Sequence, residues 1–288
     1  MVARFSLVGI LALLLVVGPA ACGDGGTATS KPPATPPSSP AVAAETPPAS
    51  APAKAEPAPT EVPLVSRPPI QVPRSKVPPA KTHYMGRRVA YTMHYAAANW
   101  LTRSTREKEE NAALMLQSLK LKAGQTVCDL GCGNGYHTLR MAEMVGVTGK
   151  VYAVDIQVEM LEMLRKRAEK AKISNIVRIH NSFVDPGLPP ASCDLILMVD
   201  VYHEFSHPEP MLAGIRKALK PDGLVVLVEF KAEDPEIPIK SDHKMSRAQV
   251  RKELEANGFV LAREFTKLPW QHAMFFRRAE RPAALPEP

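Results

Sequence analysis

The sequence predicts an α/β domain with a mostly parallel sheet over residues 83–280. Strand and helix patterns alternate along this part of the chain, as they do in βαβ units. Residues 194–201 are almost continuously apolar, which is expected of a strand that is covered on both faces. A glycine-rich turn follows the strand predicted at 126–130, and ligand sites in such sheets lie beyond the carboxyl ends of the strands.

Hydrophobic periodicity and breaker residues give the order of the elements. The predicted strands are residues 126–130, 150–155, 177–182, 194–201, 224–230, 259–266 and 272–277. The predicted helices are residues 136–145, 158–171, 211–219 and 246–257, and an earlier helix ends over 117–121. In the second of these helices, Met160, Leu161 and Leu164 share one face, as a helix packed on a sheet requires. Pro221 and Gly258 stop the two later helices.

Proline content separates the chain into two parts. Residues 31–80 contain 16 of the 29 prolines in the 288-residue chain. Residues 30–80 also lack aromatic side chains, so they cannot bury enough apolar surface to offset the entropy of ordering. We therefore predict a disordered linker at 23–82 and a disordered tail at 281–288. An apolar content of 45% still allows a core in the remainder, which excludes wholesale disorder and a collagen-like chain.

The first 22 residues have the features of a signal peptide. Arg4 precedes an apolar run at 5–17, which is shorter than the roughly 20 residues needed to span a bilayer. Small residues then lead to Cys22, an arrangement that resembles a bacterial lipoprotein signal, in which Cys22 would carry the lipid that tethers the protein. The sequence thus predicts an exported, membrane-anchored protein. An ordinary signal, an uncleaved anchor, and a cytoplasmic protein that starts at Met85 remain alternatives.

The most specific chemical signal lies at residues 129–135, between the first predicted strand of the domain and the following helix. Gly131, Gly133 and Gly135 allow the backbone to pass close to a ligand and to adopt positive φ. A dinucleotide fold would need a small residue where Tyr136 stands, because its fingerprint is G-x-G-x-x-G. Asp129 would repel a pyrophosphate but suits a positively charged amino-acid group. The pattern therefore favours a nucleotide ligand that carries such a group.

Residues 129–135 resemble the first motif of class I S-adenosylmethionine-dependent methyltransferases, and residues 84–278 keep step with that family. The resemblance implies a Rossmann-like fold with a seven-stranded, mostly parallel sheet and a late antiparallel strand. It also implies S-adenosylmethionine as cofactor, with Asp129, Gly131, Gly133 and Gly135 around it. In the family, the acid that ends the second strand bonds both ribose hydroxyls and the next residue packs on adenine. Asp155 and Ile156 occupy these two positions.

Later strand ends supply the remaining cofactor contacts that the resemblance implies. The family commonly has a Gly-Asp pair after the third strand, whereas this chain has Ser182 and Phe183 beside Asn181. Ser182 would bond adenine and Phe183 would cover it. Met198 and Val199, at the end of the fourth strand, would line the methionine side of the cofactor.

Asp200, His203 and Glu204 follow the fourth strand and would face the methyl acceptor. Methyl transfer is an in-line displacement, so the protein aligns the nucleophile and removes its proton where necessary. These three residues are the predicted base candidates. Alternatively, Asp200 orients backbone or cofactor, and His203 with Glu204 caps the following helix.

The resemblance leaves the acceptor unnamed, and we expect a small-molecule or lipid-like compound. Residues 86–100 and 239–245 occupy positions at which the family often closes over the cofactor or binds the acceptor. A non-catalytic binding or scaffold module at the cell envelope is the alternative function. No nucleic acid is expected, because the net charge of +7 lies largely in mixed runs without interleaved aromatic residues.

No metal is expected in this protein. Cys128 lies in a predicted buried strand and Cys132 in the glycine turn, so they would not converge with two histidines in zinc spacing. Cys193 is isolated in the sequence. These cysteines are predicted to be reduced and to fill space in the core.

Overall fold

The computed structural model describes residues 65–67, 73 and 77–280 of the chain. The predicted signal peptide at 1–22, most of the predicted linker at 23–82 and the predicted tail at 281–288 lie outside the described residues. Within the described ranges, no helix has both the length and the apolar character needed to cross a bilayer.

Nine strands of the described part form one sheet, in the order β1-β6-β5-β4-β7-β8-β11-β10, with β9 paired to β8. A second, two-stranded sheet pairs β2 with β3. The strands are β1 Val65–Arg67, β2 His83–Tyr84, β3 Arg87–Arg88, β4 Thr126–Leu130, β5 Lys150–Asp155, β6 Ile176–His180, β7 Cys193–Val199, β8 Leu219–Lys231, β9 Lys244–Met245, β10 Phe259–Phe265 and β11 Gln271–Arg278. Within the nine-stranded sheet, β11 runs antiparallel to both β8 and β10 and the other pairings are parallel, so the predicted fold class is confirmed. The sheet has nine strands where seven were expected, because the short strands β1 and β9 add to it.

Six α-helices and three 3₁₀ helices connect these strands in the described residues. The α-helices are α1 Arg106–Glu110, α2 Ala112–Leu119, α3 Tyr136–Val145, α4 Val158–Lys170, α5 Pro208–Ala218 and α6 Arg247–Ala256. The 3₁₀ helices are Tyr95–Thr102, Tyr202–Glu204 and Ser241–His243. Helix α5 ends at Ala218, before the predicted stop at Pro221, because β8 already begins at Leu219. Strand β8 therefore includes residues 221–223, which we expected to end the preceding helix.

Successive side chains of a buried strand point to opposite faces of the sheet, so apolar residues pack on both faces. In β4, Val127 belongs to one apolar cluster, whereas Cys128 and Leu130 belong to the other. The predicted apolar face of α4 is confirmed, since Met160, Leu161 and Leu164 are all buried. A sheet with helices on both faces leaves the ends of its strands as the natural place for a ligand.

The order in which the chain adds strands to the sheet reverses at β4. From β4 it proceeds to β5 and β6 on one side, and then returns to β7 on the other side. The loops that leave β4 and β7 consequently diverge, which opens a crevice at their carboxyl ends. This switch point fixes where the site lies.

The folded part begins earlier than residue 83, where the sequence placed it. Strand β1, at residues 65–67 inside the predicted linker, pairs in parallel with β6. The backbone N–H of Lys81 donates to the carbonyl of Ser206 at 2.9 Å, and the carbonyl of Pro78 lies 2.8 Å from Nε2 of His207. The domain boundary is therefore corrected towards the N-terminus, because short extended segments can pair with an open sheet edge whatever their composition.

Candidate active site

A cavity of about 690 Å³ lies at the carboxyl ends of β4, β5 and β7. Its volume falls in the range of small-molecule and cofactor sites, which is about 300–1,000 Å³. Ten of the residues that the sequence singled out line it: Gly131, Gly133, Asp155, Ile156, Ser182, Phe183, Val199, Asp200, His203 and Glu204. The tertiary structure thus brings together residues that are up to 73 positions apart.

The glycine turn forms the floor of the cavity. Gly131 and Gly133 have φ values of +75° and +53°, which side chains rarely tolerate. A Cβ atom on Gly131 would lie 2.5 Å from Val201, and one on Gly133 would lie 2.5 Å from Leu101. These positions therefore need glycine for close approach of other groups as well as for backbone conformation.

Asp155 ends β5 at the edge of this turn. Its Oδ2 accepts a hydrogen bond from Gly133 N–H and its Oδ1 accepts one from Gln157 N–H, both at 2.8 Å. Burial raises the pKa of Asp155, and the two backbone hydrogen bonds oppose that shift. Each carboxylate oxygen keeps a further lone pair, so Asp155 can accept additional hydrogen bonds from a ligand in the cavity.

Three predicted cofactor residues, Asp129, Gly135 and Met198, are not among the described residues that line the cavity. Asp129 is buried and accepts a hydrogen bond from Thr138 Oγ1 at 2.6 Å. Gly135 precedes α3, and a Cβ there would lie 2.2 Å from Leu164. Met198 is a fully buried core residue. These three residues therefore lie in the strands and the turn behind the cavity wall.

The residues predicted on the adenine side occupy one part of the wall. Ile156 directly follows Asp155, and both line the cavity. The hydroxyl of Ser182 accepts a hydrogen bond from Val184 N–H at 3.3 Å, which leaves its own proton free to be donated. The Phe183 ring is 54% exposed, so it has apolar area available for a flat ligand.

The segment that precedes the domain's first central strand covers the cavity. Tyr91, Met93 and Trp100 line it, and the last of these stands in the first 3₁₀ helix. Gln157 fastens this segment, because its side chain accepts from Tyr95 N–H at 2.8 Å and donates to the Met93 carbonyl at 2.9 Å. The expectation that residues 86–100 lie over the site agrees with this arrangement. Sequence reasoning missed Gln157, which has no motif of its own.

A buried ion pair that sequence reasoning also missed stands in the same wall. Arg106 Nε donates to Glu110 Oε2 at 2.7 Å, and both residues line the cavity. Arg106 also donates to the carbonyl of Leu101 at 2.7 Å and contacts His137 Nε2 at 3.1 Å. Opposite charges are therefore presented side by side to a ligand. The run Arg-Glu-Lys-Glu-Glu looks like an exposed helix in the sequence, which is why it gave no signal.

Asp200 follows β7 with a positive φ of 54°. Its Oδ2 accepts a hydrogen bond from Gln271 Nε2 at 2.7 Å, and its buried Oδ1 has no hydrogen-bond partner among the described residues. Burial raises the pKa of Asp200 well above its usual range, and the charges of Glu110 and Glu229 raise it further. A carboxyl group that favours its protonated form thus faces the cavity. The Asp200 side chain bonds the side chain of Gln271. The alternative prediction, that Asp200 orients the backbone, is therefore not seen among the described contacts.

His203 lies at the centre of a polar cluster beyond Asp200. Its Nδ1 is 2.6 Å from Oε2 of Glu229, and its Nε2 is 3.1 Å from Nδ1 of His243. Glu229 is fully buried in β8 and also accepts from Tyr202 N–H at 3.0 Å. Burial by itself would lower the pKa of His203, but the charge and hydrogen bond of Glu229 raise it overall. An acidic residue in an otherwise apolar strand was the signal that could have revealed Glu229.

Glu204 stands next to this cluster. Its Oε1 accepts a hydrogen bond from Met93 N–H at 3.1 Å and lies 4.0 Å from Nε2 of His203. Burial raises the pKa of Glu204 to about 7. Helix α5 begins after His207, so His203 and Glu204 do not cap it as the alternative assignment expected. They instead form their own 3₁₀ turn, with both side chains on the cavity wall.

An ion pair from the N-terminal segment holds this turn in place. Arg87 Nε donates to Glu253 Oε1 at 2.7 Å, and Arg87 Nη1 donates to the carbonyl of His203 at 2.8 Å. The backbone N–H of Ala90 donates to the same carbonyl at 3.1 Å. The backbone that carries His203 is thus fixed by residues more than 110 positions away.

Comparisons with known proteins agree with this geometry. Residues 121–274 match the family described as a methyltransferase domain. The chain is similar to a protein-L-isoaspartate O-methyltransferase from Methanococcoides burtonii, at 32% identity over 46% of this chain and 62% of that protein. It is also similar to a probable cobalt-precorrin-6B C(15)-methyltransferase from Saccharolobus solfataricus, at 41% identity over 25% of this chain and 37% of that protein. The chain thus spans less than two thirds of these curated relatives.

A solved structure supports the same assignment over a larger part of the chain. The crystal structure of a SAM-dependent methyltransferase from Aquifex aeolicus superposes with a TM-score of 0.61 and 25% identity, covering 64% of this chain and 98% of that one. The matched family region contains the glycine turn, Asp155 and the residues that follow β7. Because that region is more than half of the chain, the protein belongs to the methyltransferase domain family.

Proposed function

We propose that the protein is an S-adenosylmethionine-dependent methyltransferase. The observation that carries this proposal is the contact between the glycine turn and Asp155, with the Gly133 N–H bonded to the carboxylate beside the cavity. The residues fit the cofactor, since a carboxylate suits ribose hydroxyls and the glycines leave room that a Cβ would fill. When bound, S-adenosylmethionine supplies the methyl group of its sulfonium to the acceptor.

Different residues of the cavity would contact different parts of the cofactor. Asp155 would accept hydrogen bonds from the ribose, and Ile156, Ser182 and Phe183 would contact the adenine. Arg106 and Glu110 present opposite charges that suit the carboxylate and the ammonium group of an amino acid. This ion pair takes the place of Asp129 in our assignment, because Asp129 is not among the cavity-lining residues that the structure describes.

Asp200, His203 and Glu204 would face the acceptor. They lie on the same cavity wall, beyond Val199 at the end of β7. A methyl acceptor that carries a proton must lose it during transfer, and a carboxylate or imidazole within hydrogen-bond reach can take it. The positions of Glu204 and of Nε2 of His203 support this role. The cavity is also lined by the apolar side chains of Phe205, Phe230 and Ile239. This apolar surface supports a small-molecule or lipid-like acceptor.

We also propose that the protein is exported and tethered through Cys22. Contacts made before Met85 favour the longer chain, because Tyr84 is buried and its hydroxyl accepts from Asn257 at 2.8 Å. A protein that starts at Met85 would lack these contacts and strand β1. Mass spectrometry of the mature N-terminus tests the tether: a diacylated Cys22 supports it, and an intact Met1 or a start at Met85 contradicts it.

Calorimetric titration of the full-length chain with S-adenosylhomocysteine tests the cofactor assignment. We expect one site per chain. Asp155→Ala should weaken binding by about 10- to 150-fold, since each hydrogen bond to a charged group contributes about 1.5–3 kcal/mol. Asp155→Asn, which keeps an acceptor for Gly133 N–H, checks that the effect is not unfolding. Asp222→Ala, at an exposed position, serves as the control. No binding by the folded wild-type chain would refute the proposal.

A further inference from the structure

We propose that His203, His243 and Glu204 form a binding site for a divalent transition-metal ion. Each of these three residues offers one ligand atom, and the three atoms lie within 4.8 Å of one another. All three side chains line the cavity, at the end where we place the acceptor. The cysteines and the zinc spacings gave no reason to expect a metal, and this cluster involves none of them.

The distance between the two histidines has the value that a shared ion requires. Nε2 of His203 and Nδ1 of His243 are 3.1 Å apart. With metal–nitrogen bonds of about 2.05 Å, this separation corresponds to an angle of about 98° at the ion, between octahedral and tetrahedral values. The Glu204 oxygen is 4.0 Å from Nε2 of His203, and all three ligand atoms lie within 4.8 Å of one another. Two ligands at octahedral or tetrahedral angles on one ion are about 2.9–3.4 Å apart, so the Glu204 side chain would move by roughly 1–1.5 Å to complete the set.

Glu229 supplies the supporting interaction that metal-bound histidines usually have. It accepts the Nδ1–H of His203 at 2.6 Å, which leaves the lone pair of Nε2 directed towards His243. Its other oxygen is held by Tyr202 N–H, so the carboxylate is fixed and fully buried. A carboxylate behind a ligating histidine sets the tautomer and raises the basicity of the ligand. The cluster thus has both ligands and an orienting partner.

The ligand chemistry selects the class of ion and of its further ligand. Two imidazoles and one carboxylate suit zinc, iron(II) or cobalt(II), whereas magnesium and calcium prefer oxygen ligands alone. Three protein ligands leave at least one coordination position open. The ligand atoms stand on the cavity wall, so an oxygen of the acceptor, such as a hydroxyl or carboxylate, would take that position. This last step rests on the proposed function, whereas the metal site does not. With the ion bound, His203 and Glu204 act as its ligands and no longer as bases.

Titration of the untagged, metal-free full-length chain with Zn²⁺ and with Co²⁺ tests the site, in a Cys22→Ala background that removes a competing thiol. We expect one ion per chain and visible absorption bands of a nitrogen- and oxygen-ligated Co²⁺. His243→Ala should abolish stoichiometric binding, and it concerns a half-buried residue whose loss leaves the core intact. Glu229→Gln should weaken binding by about 10- to 100-fold. His83→Ala, at an exposed histidine, should have no effect.

Two results would overturn the metal site. One is the absence of stoichiometric binding by a chain that is folded by circular dichroism. The other is binding that His243→Ala leaves unchanged, which would place the ion elsewhere. In either case His203 and His243 form only a hydrogen-bonded pair on the cavity wall. Titration with S-adenosylhomocysteine in the same preparation reports the cofactor site separately, so a failure of one assignment is distinguishable from a failure of the other.

Discussion

Replacement of Asp129 by asparagine should stabilise the protein. Asp129 is buried at the end of β4, and burial raises its pKa from 3.8 to about 6, with Asp155 adding to the shift. The folded state therefore holds the proton more tightly than the unfolded state does. As the pH rises from about 4 to about 6, ionisation lowers the free energy of unfolding, at 1.36 kcal/mol per pH unit. The total cost above pH 6 is about 3 kcal/mol.

Urea unfolding of wild type and Asp129→Asn, followed by circular dichroism at several pH values, measures this effect. An asparagine carries no charge, and its side-chain oxygen can still accept the hydrogen bond from Thr138 Oγ1. We expect a gain of up to about 3 kcal/mol at pH 8 that shrinks towards zero at pH 4. The same change at the exposed Asp222 should leave the free energy of unfolding unaltered at every pH.

The result that would refute this reasoning is a variant that is less stable than wild type at pH 8. It would mean that the ionised carboxylate is stabilised in the folded state by more than its hydrogen bond with Thr138. A gain that is independent of pH would also contradict the argument, because the effect must follow the ionisation of one buried group.

Two further changes test the packing around the site. Gly131→Ala should lower the free energy of unfolding by about 3 kcal/mol, since the new Cβ would lie 2.5 Å from Val201 at a positive φ. The control is Gly86→Ala, where φ is also positive but the space is open, and it should lower the free energy of unfolding by only about 1–2 kcal/mol. Arg87→Met should cost about 3 kcal/mol in the same urea assay, because it leaves the fully buried Glu253 without its ion pair. Adding Glu253→Leu should recover most of that loss, and a double variant as unstable as the single one would contradict the argument.

Local patterns were sufficient to predict the fold and several residues that line the cavity. The glycines of residues 131–135, Asp155 and Ile156 are close in sequence to strands whose apolar runs are easily recognised. Parallel strands bring their carboxyl ends to one edge, so residues placed after each strand must meet there. The same rule also predicted Asp129 and Met198 as cofactor residues. Both are buried and neither lines the cavity, because side chains alternate along a strand.

The acceptor side could not be assembled from local patterns. His203, Glu229 and His243 belong to a 3₁₀ turn, a central strand and a loop after that strand, and their contacts span 26 and 40 positions. Nothing in the spacing of these residues encodes the distance of 3.1 Å between Nε2 of His203 and Nδ1 of His243. That distance depends on how the Ser241–His243 turn packs against the Tyr202–Glu204 turn. Arg106 and Glu110 likewise looked like surface charges until the fold buried them.

The sequence by itself determined the α/β class, the position of the cavity and the family to which the chain belongs. Hydrophobic periodicity, a glycine turn and an acid at a strand end are short-range features of the sequence. In any fold with this strand order they come to the same edge of the sheet. Only the tertiary structure decided which charged groups are buried in the cavity and which residues orient them. Burial and pairing depend on the packing of segments far apart in the chain, and these set the pKa of Glu204 and the contact between His203 and His243.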